Sequence, residues 1–257
     1  MIQSHIYPER ATWVQNRLTR LFIVAGVIGS ILSMLVITLD GFLRPGYSPL
    51  YQMISDLGVG QNAWLLNSDL VVSGLLIMLF AIGFSQAMRN SISGRRLVAS
   101  TSLFLLAGAG IANDGFFTEY NVADPHAALH DALHTLGFFV AFISLSIAFF
   151  LIGLQLRNDR ARRGYGWYSL ITGLVMLSLI LLPYAFPVHG MQLEGLNERM
   201  ILVAAFAWQV VTGYRLSALE KRQKVGEHAG AFAGSLDLSR VGPEPVAHLL
   251  TSVPGGA

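Results

Sequence analysis

Six stretches of about twenty residues, each nearly free of charge, constrain this chain more than any other feature. They run roughly over 21–39, 63–84, 97–116, 132–154, 167–186 and 199–216. A helix crossing the hydrocarbon core of a bilayer needs about 20 mostly apolar residues at roughly 1.5 Å of rise each, so every stretch is long enough to span. A soluble helical protein needs a polar face on each outer helix, and a run such as LVVSGLLIMLFAIGF has none. Six helices of this kind cannot all be central in a water-soluble bundle. The composition agrees: charged residues make up 12% and mean hydropathy is +0.55, whereas a soluble domain carries about 25% charged residues. The expected class is all-α, an integral membrane six-helix bundle.

Arg17 and Arg20 precede the first stretch, as they would in a secretory signal. Its apolar length exceeds the roughly 7–15 residues of a signal core and no small-residue cleavage site follows it cleanly, so it reads as a retained span. Basic residues then set the orientation. Fifteen of the seventeen Lys and Arg fall before span one, between spans two and three, between four and five, or after six; Arg44 and Arg199 alone fall on the other side. The positive-inside bias therefore places both termini in the cytoplasm of a cell (cytoplasmic) membrane protein. The excess of basic residues is a topology signal, and no nucleic-acid partner is expected. The chain reads as a cytoplasmic N-terminal segment over 1–20, a spanning domain over 21–217 and a cytoplasmic tail over 218–257. That tail is rich in Gly, Ala and Pro and is expected to be disordered. With no cysteine in the chain, disulfides, thiolate metal ligands, iron–sulfur clusters and a cysteine nucleophile are excluded.

On this topology the acids and histidines collect at the outer face. Asp40, Asp56, Asp69, Asp114, Glu119, Asp124, Asp131, Glu194 and Glu198 lie there, with His126, His130, His134 and His189. Solvated loops explain some of them, but not those that reach into span ends, where charge is costly and is often kept for a partner or a function. In the first outer loop, Ser48 and Pro49 suit a helix start, Leu50, Met53, Ile54 and Leu57 repeat at helical spacing, and Gly58 suits a stop. A short amphipathic helix ending near Ser55 and Asp56 is expected, with Tyr47, Tyr51 and Trp64 at headgroup depth. Asp69 sits more than a turn inside span two, with Ser73 a turn further. Its short stem disfavours snorkelling, so it is expected to face polar partners inside the bundle.

His126, His130 and His134 follow one another at i, i+4 spacing where span four begins. That spacing stacks neighbours on one helix face, close enough for two imidazoles to share a divalent metal. A hydrogen-bonding interfacial ladder and a protonation switch are the other readings of the same spacing. In the last outer loop, Glu198 and Arg199 suit an acidic helix start beside a snorkelling cation. Arg199 could equally be the counter-ion of an inner carboxylate or the anchor of an anionic headgroup.

The blocks YSPLYQMISDLGVGQNAWLLNSDL, LLAGAGIANDGFF, LHDALHTLGFF and GLNERMILVAAFAWQVVTGYRL resemble the successive signature blocks of a multi-pass bacterial and archaeal family, domain of unknown function 998. The likeness covers roughly 20–217. Ser55, Asp56, Leu57 and Gly58, then Asp114, then His130 and His134 stand at family positions, while His126 is extra. Several relatives carry Pro-Cys-Asp where this chain has Asn113 before Asp114, so a thiol there is not general chemistry. The resemblance implies a six-helix membrane fold and no activity.

Two functions from different classes follow. In the first, the protein is no enzyme: its polar outer cluster binds a lipid or small molecule, or serves an assembly partner. Small-residue spacings in AGVIGS and LLAGAGIAN then serve close helix packing. The alternative is a membrane-embedded zinc hydrolase acting on a lipid. His130, His134 and Asp114 would hold the ion, with Asp56 or Asp114 as the catalytic carboxylate candidates. That constellation is similar to the alkaline ceramidase and adiponectin-receptor group, which has seven spans and a further histidine; His189 is the spare here.

Overall fold

The computed structural model describes residues 7–118, 126–185 and 193–235. Within them the regular structure is helical: α1 (Tyr7–Leu43), α2 (Ala63–Met88), α3 (Gly94–Phe116), α4 (Ala127–Leu156), α5 (Arg163–Ala185) and α6 (Glu194–Ser235), with a 3-10 turn at Ser55–Gly58. All six are long and apolar enough to cross a membrane, and the spanning portions lie within five residues of the expected limits. The protein is a multi-pass membrane protein. Two compact units divide the chain, Met1–Tyr214 and Arg215–Ala257. In the second, α6 continues beyond the expected end of the last span, through Ser235.

Consecutive helices run antiparallel, and missing side chains let them approach. A Cβ on Gly108 would meet the Gly74 carbonyl at 2.6 Å and the Met78 side chain at 2.8 Å, while one on Gly110 would meet the Gly137 carbonyl at 2.6 Å. Gly26 and Gly29 of α1 bear in the same way on Phe80 and Leu76 of α2, and Gly153 of α4 on Leu170 of α5. In hydrocarbon, where lipid tails are as apolar as leucine, such close backbone contact supplies much of the attraction between helices. The AGVIGS and LLAGAGIAN stretches are thus packing surfaces. Helix α6 closes the ring, since Gly213 abuts Val27 of α1 and Tyr165 of α5 bonds Thr212 between hydroxyls at 2.6 Å.

The ring is filled differently at its two ends. Toward the end where α2 finishes and α3 begins, Phe80, Phe84, Phe104, Phe149, Tyr165 and Trp208 converge from five helices. Trp208 stacks on Phe149 with centroids 4.2 Å apart and is fully buried. Its indole N–H donates to Ser169 Oγ at 2.9 Å, so the one polar atom it brings inside is satisfied. The other end, which carries the α1–α2 connection, is the polar one and is called the loop end below.

Candidate functional site

At the loop end the α1–α2 connection does not form the expected amphipathic helix over 48–58. It makes a single turn, in which Tyr51 and Gln52 N–H donate to the Ser48 carbonyl, and then the 3-10 turn at Ser55–Gly58. Gly58 does end that turn, as expected. The helix is broken because the backbone groups it would pair, the Met53 and Ile54 N–H and the Leu50 carbonyl, have other partners. Arg44 donates to the carbonyls of Asp56 (3.0 Å), Leu57 (2.7 Å), Val59 (2.8 Å) and Gln61 (2.6 Å). Asp56 accepts the Met53 N–H at 2.9 Å, and Asp40 lies 3.7 Å from the Arg44 guanidinium one helical turn back. A guanidinium presents five donors in a rigid fork, which suits it to gathering converging carbonyls.

The opposite side of this connection docks on the first turn of α6. Leu196 N–H donates to the Leu50 carbonyl at 3.1 Å, and Ile54 N–H donates to the Glu198 carboxylate. Arg199 donates to the carbonyls of Gln52 (3.1 Å) and Gly195 (2.9 Å) and to the Tyr47 hydroxyl, and its guanidinium lies over the Tyr47 ring, 5.5 Å from the centroid. Tyr47 also donates to the Met53 carbonyl at 2.7 Å. Burial raises the Tyr47 hydroxyl above its ordinary value of 10.0, against the lowering effect of the Arg199 bond and charge. The fit is close: a side chain on Gly195 would press into the Gln52 and Pro49 carbonyls. Tyr51 and Trp64 are exposed.

Beneath the connection is a chamber of about 40 Å³. Its polar wall is Ser33 of α1, Ser55 of the connection, Ser73 of α2, Asp114 of α3, His134 of α4 and Glu198 of α6; Leu, Ile and Phe side chains complete it. A water needs roughly 10–15 Å³ on this measure, so the space suits two or three waters or one small ligand. Ser33 donates to Asp69 Oδ2 at 2.6 Å, so Asp69 has the inward polar partner expected of it. Asp114 is buried at 6% exposure, with Asn113 Nδ2 3.5 Å away. Asn113 in turn donates to the Leu133 carbonyl at 2.7 Å, joining α3 to α4. A Cβ on Gly137 would land on the Asp114 carboxylate. Glycine at 137 is therefore what lets this acid lie between two helices.

The three histidines of the ladder sit at different depths. Down the face of α4, His126 is exposed, His130 half-buried and His134 buried. His130 lies edge-on to Phe117, with ring centroids 5.5 Å apart, and 6.5 Å from His126. His134 alone lines the chamber, its Nδ1 2.8 Å from the Phe117 carbonyl. Among the described residues no group of three or more His, Asp or Glu is placed to hold a metal ion. The expected set of His130, His134 and Asp114 therefore has no support as a metal site, and Asp56 is engaged in the turn instead. His189, Glu119 and Asp124 lie outside the described residues. Sequence reasoning missed Arg44, Ser33 and Tyr47. Arg44 carried a signal, being one of two basic residues on its side and four residues after Asp40.

Residues 27–215 match a family model described as a protein of unknown function, DUF998. No curated protein and no solved structure matches the chain.

Proposed function

Starting from a chain that belongs to the DUF998 family, we propose a non-catalytic membrane protein that binds a small polar ligand in the chamber at its loop end. Its spanning domain covers 21–217, with both termini in the cytoplasm and the loop end facing out. The observation that carries this reading is the chamber wall: three serines, two acids and an imidazole from five helices and the connection border one space. Polar groups inside a membrane bundle are costly, and a bundle that needed only stability would fill this space with apolar side chains. At about 40 Å³ the chamber is too small for a lipid headgroup, which narrows the ligand to a few heavy atoms.

Filling the chamber tests this. Ser73 is buried and lines it, and Ser73→Val puts two methyl groups in place of the hydroxyl. The purified protein in nanodiscs is screened by thermal unfolding against small neutral and charged polar solutes. The wild type is expected to be stabilised by at least one of them and the filled variant by none. A filled variant that is more stable, with the same response to every solute as the wild type, would show the space to be a packing defect and end the proposal.

A further inference from the structure

Arginine is used differently at the two ends of the bundle. At the loop end, Arg44 and Arg199 are committed to the protein itself, to its carbonyls and to Tyr47. At the opposite end, Arg89, Arg95 and Arg96 surround the turn from α2 to α3, and Arg157, Arg160, Arg162 and Arg163 the turn from α4 to α5. One acid, Asp159, stands among these seven, 3.3 Å from Arg162. Arg96 donates to Gln155 Oε1 at 2.5 Å. The other five are exposed and have no hydrogen-bond or ion-pair partner among the described residues. The two turns make one basic surface over the end of α4. The Arg96 bond sets the start of α3 against the last turns of α4, and a Cβ on Gly166 of α5 would meet the Arg157 backbone nitrogen at 2.4 Å.

Orientation in the membrane explains the charge but not its chemistry. The positive-inside bias counts lysine and arginine alike, yet the spanning domain holds no lysine, and the two in the chain, Lys221 and Lys224, both follow it. Nor do the helices call for these residues. Arg95, Arg96 and Arg163 occupy the first turns of α3 and α5, where the macrodipole disfavours cations and no acid offsets them. Their depth is that of lipid headgroups: Arg89 and Arg157 directly follow spanning segments, and Arg95 and Arg163 lie in the first turn of others. Below Arg163, Trp167, Ile171 and Leu174 continue the same helix face, all exposed; below Arg95, Val98 and Leu105 do so. An arginine at the head of an exposed apolar stripe matches a phospholipid, with phosphate above and acyl chains beneath.

We infer that this end of the bundle binds anionic phospholipids of the adjoining leaflet, their phosphates held by Arg95, Arg157 and Arg163 and their chains lying along α3 and α5. A guanidinium grips phosphate through two parallel N–H bonds, which an ammonium cannot do. Basic pockets between helix ends are known to select such headgroups. A zwitterionic headgroup carries its own cation and competes poorly. The chamber plays no part in this binding, so a solute response there survives either outcome below.

The full chain is purified in detergent, and phosphatidylglycerol, phosphatidylcholine, inorganic phosphate or polyglutamate is added at matched ionic strength. Thermal unfolding and hydrogen exchange are followed. Phosphatidylglycerol is expected to raise the midpoint at least about 3 °C above phosphatidylcholine. It should slow exchange over 89–96 and 157–163 but not over 44–62. The combined variant Arg95→Lys, Arg157→Lys and Arg163→Lys keeps the charge that topology reads and removes the forks. It is expected to unfold at the wild-type midpoint in phosphatidylcholine and to lose at least half of the phosphatidylglycerol gain. Retention of the full gain shows a diffuse charge effect and overturns the inference. Equal wild-type midpoints in the two lipids, protection confined to 44–62, or an equal gain from polyglutamate or inorganic phosphate overturn it as well. If the combined variant does not fold, the three single Lys variants carry the same comparison, and the full gain in all three is then the overturning result.

Discussion

The two ends of the bundle solve the same packing problem in opposite ways. At one end five helices meet through six aromatic rings, and the polar atoms those rings bring in, the Trp208 indole N–H and the Tyr165 hydroxyl, have partners. At the loop end the helices meet around a space lined by acids, serines and a histidine, and the connection above it is held by two arginines. The aromatic end maximises contact, which is what holds helices together in lipid. The loop end gives up contact for polar groups that do little for stability. The difference teaches where each kind of sequence constraint acts: shape and volume at one end, charge and hydrogen-bond direction at the other.

If this division is right, the largest loss of stability comes from the aromatic end. Trp208→Ala removes a side chain that contacts rings from four other helices and should cost about 4 kcal/mol, read from denaturant unfolding in mixed micelles. The chamber's response to solutes should change little in the molecules that remain folded. Arg44→Met comes next, at about 3 kcal/mol, because four carbonyls lose their donor and Asp40 loses its counter-charge. Here hydrogen exchange should rise sharply over 44–62 and stay low in the aromatic end. A uniform rise would break the comparison. Gly137→Ala, which drives a methyl group into the Asp114 carboxylate, should cost about 2 kcal/mol by overpacking α3 against α4. It should also displace the acid from the chamber and so abolish the solute response.

The smallest expected effect is a pH dependence. The Tyr47 hydroxyl is raised above 10.0 by burial, so its contribution is fully present below that ordinary value and is lost as pH climbs through the raised one. A weak alkaline loss of stability at the loop end, absent in Tyr47→Phe, is the outcome that alkaline unfolding should show.

The architecture was legible because it depends on run length alone. Twenty apolar residues give a span wherever they occur, and each spanning portion was located to within five residues. The site was legible only in part. Asp114, His134 and Glu198 were singled out by being polar at a span end, and they do share a chamber. The metal set of His130, His134 and Asp114 finds no support, because i, i+4 spacing fixes a common helix face and not a common depth; one turn up the ladder, His130 meets Phe117. The amphipathic helix over 48–58 failed for a different reason. Its periodicity was real, but Leu196 and Glu198 reach in from α6 to claim the Leu50 carbonyl and the Ile54 N–H that such a helix would pair with each other. No local pattern in 48–58 carries that information. Arg199, read as a snorkelling cation, a counter-ion or a headgroup anchor, holds a tyrosine and two carbonyls.

Ring closure between the first and last helices has a consequence for assembly. Ser33 comes from α1 and Glu198 from α6, so the chamber wall is completed only when the final helix takes its place. During insertion Asp114 would meet lipid or translocon without its eventual neighbours, at the cost an unpartnered polar group incurs in hydrocarbon. What α6 then adds to the wall is a second carboxylate, Glu198, with the apolar Leu202 and Phe206. Before α6 packs, the α1–α2 connection also lacks its bonds to Leu196, Glu198 and Arg199, so one helix completes both the wall of the chamber and the hold on its cover.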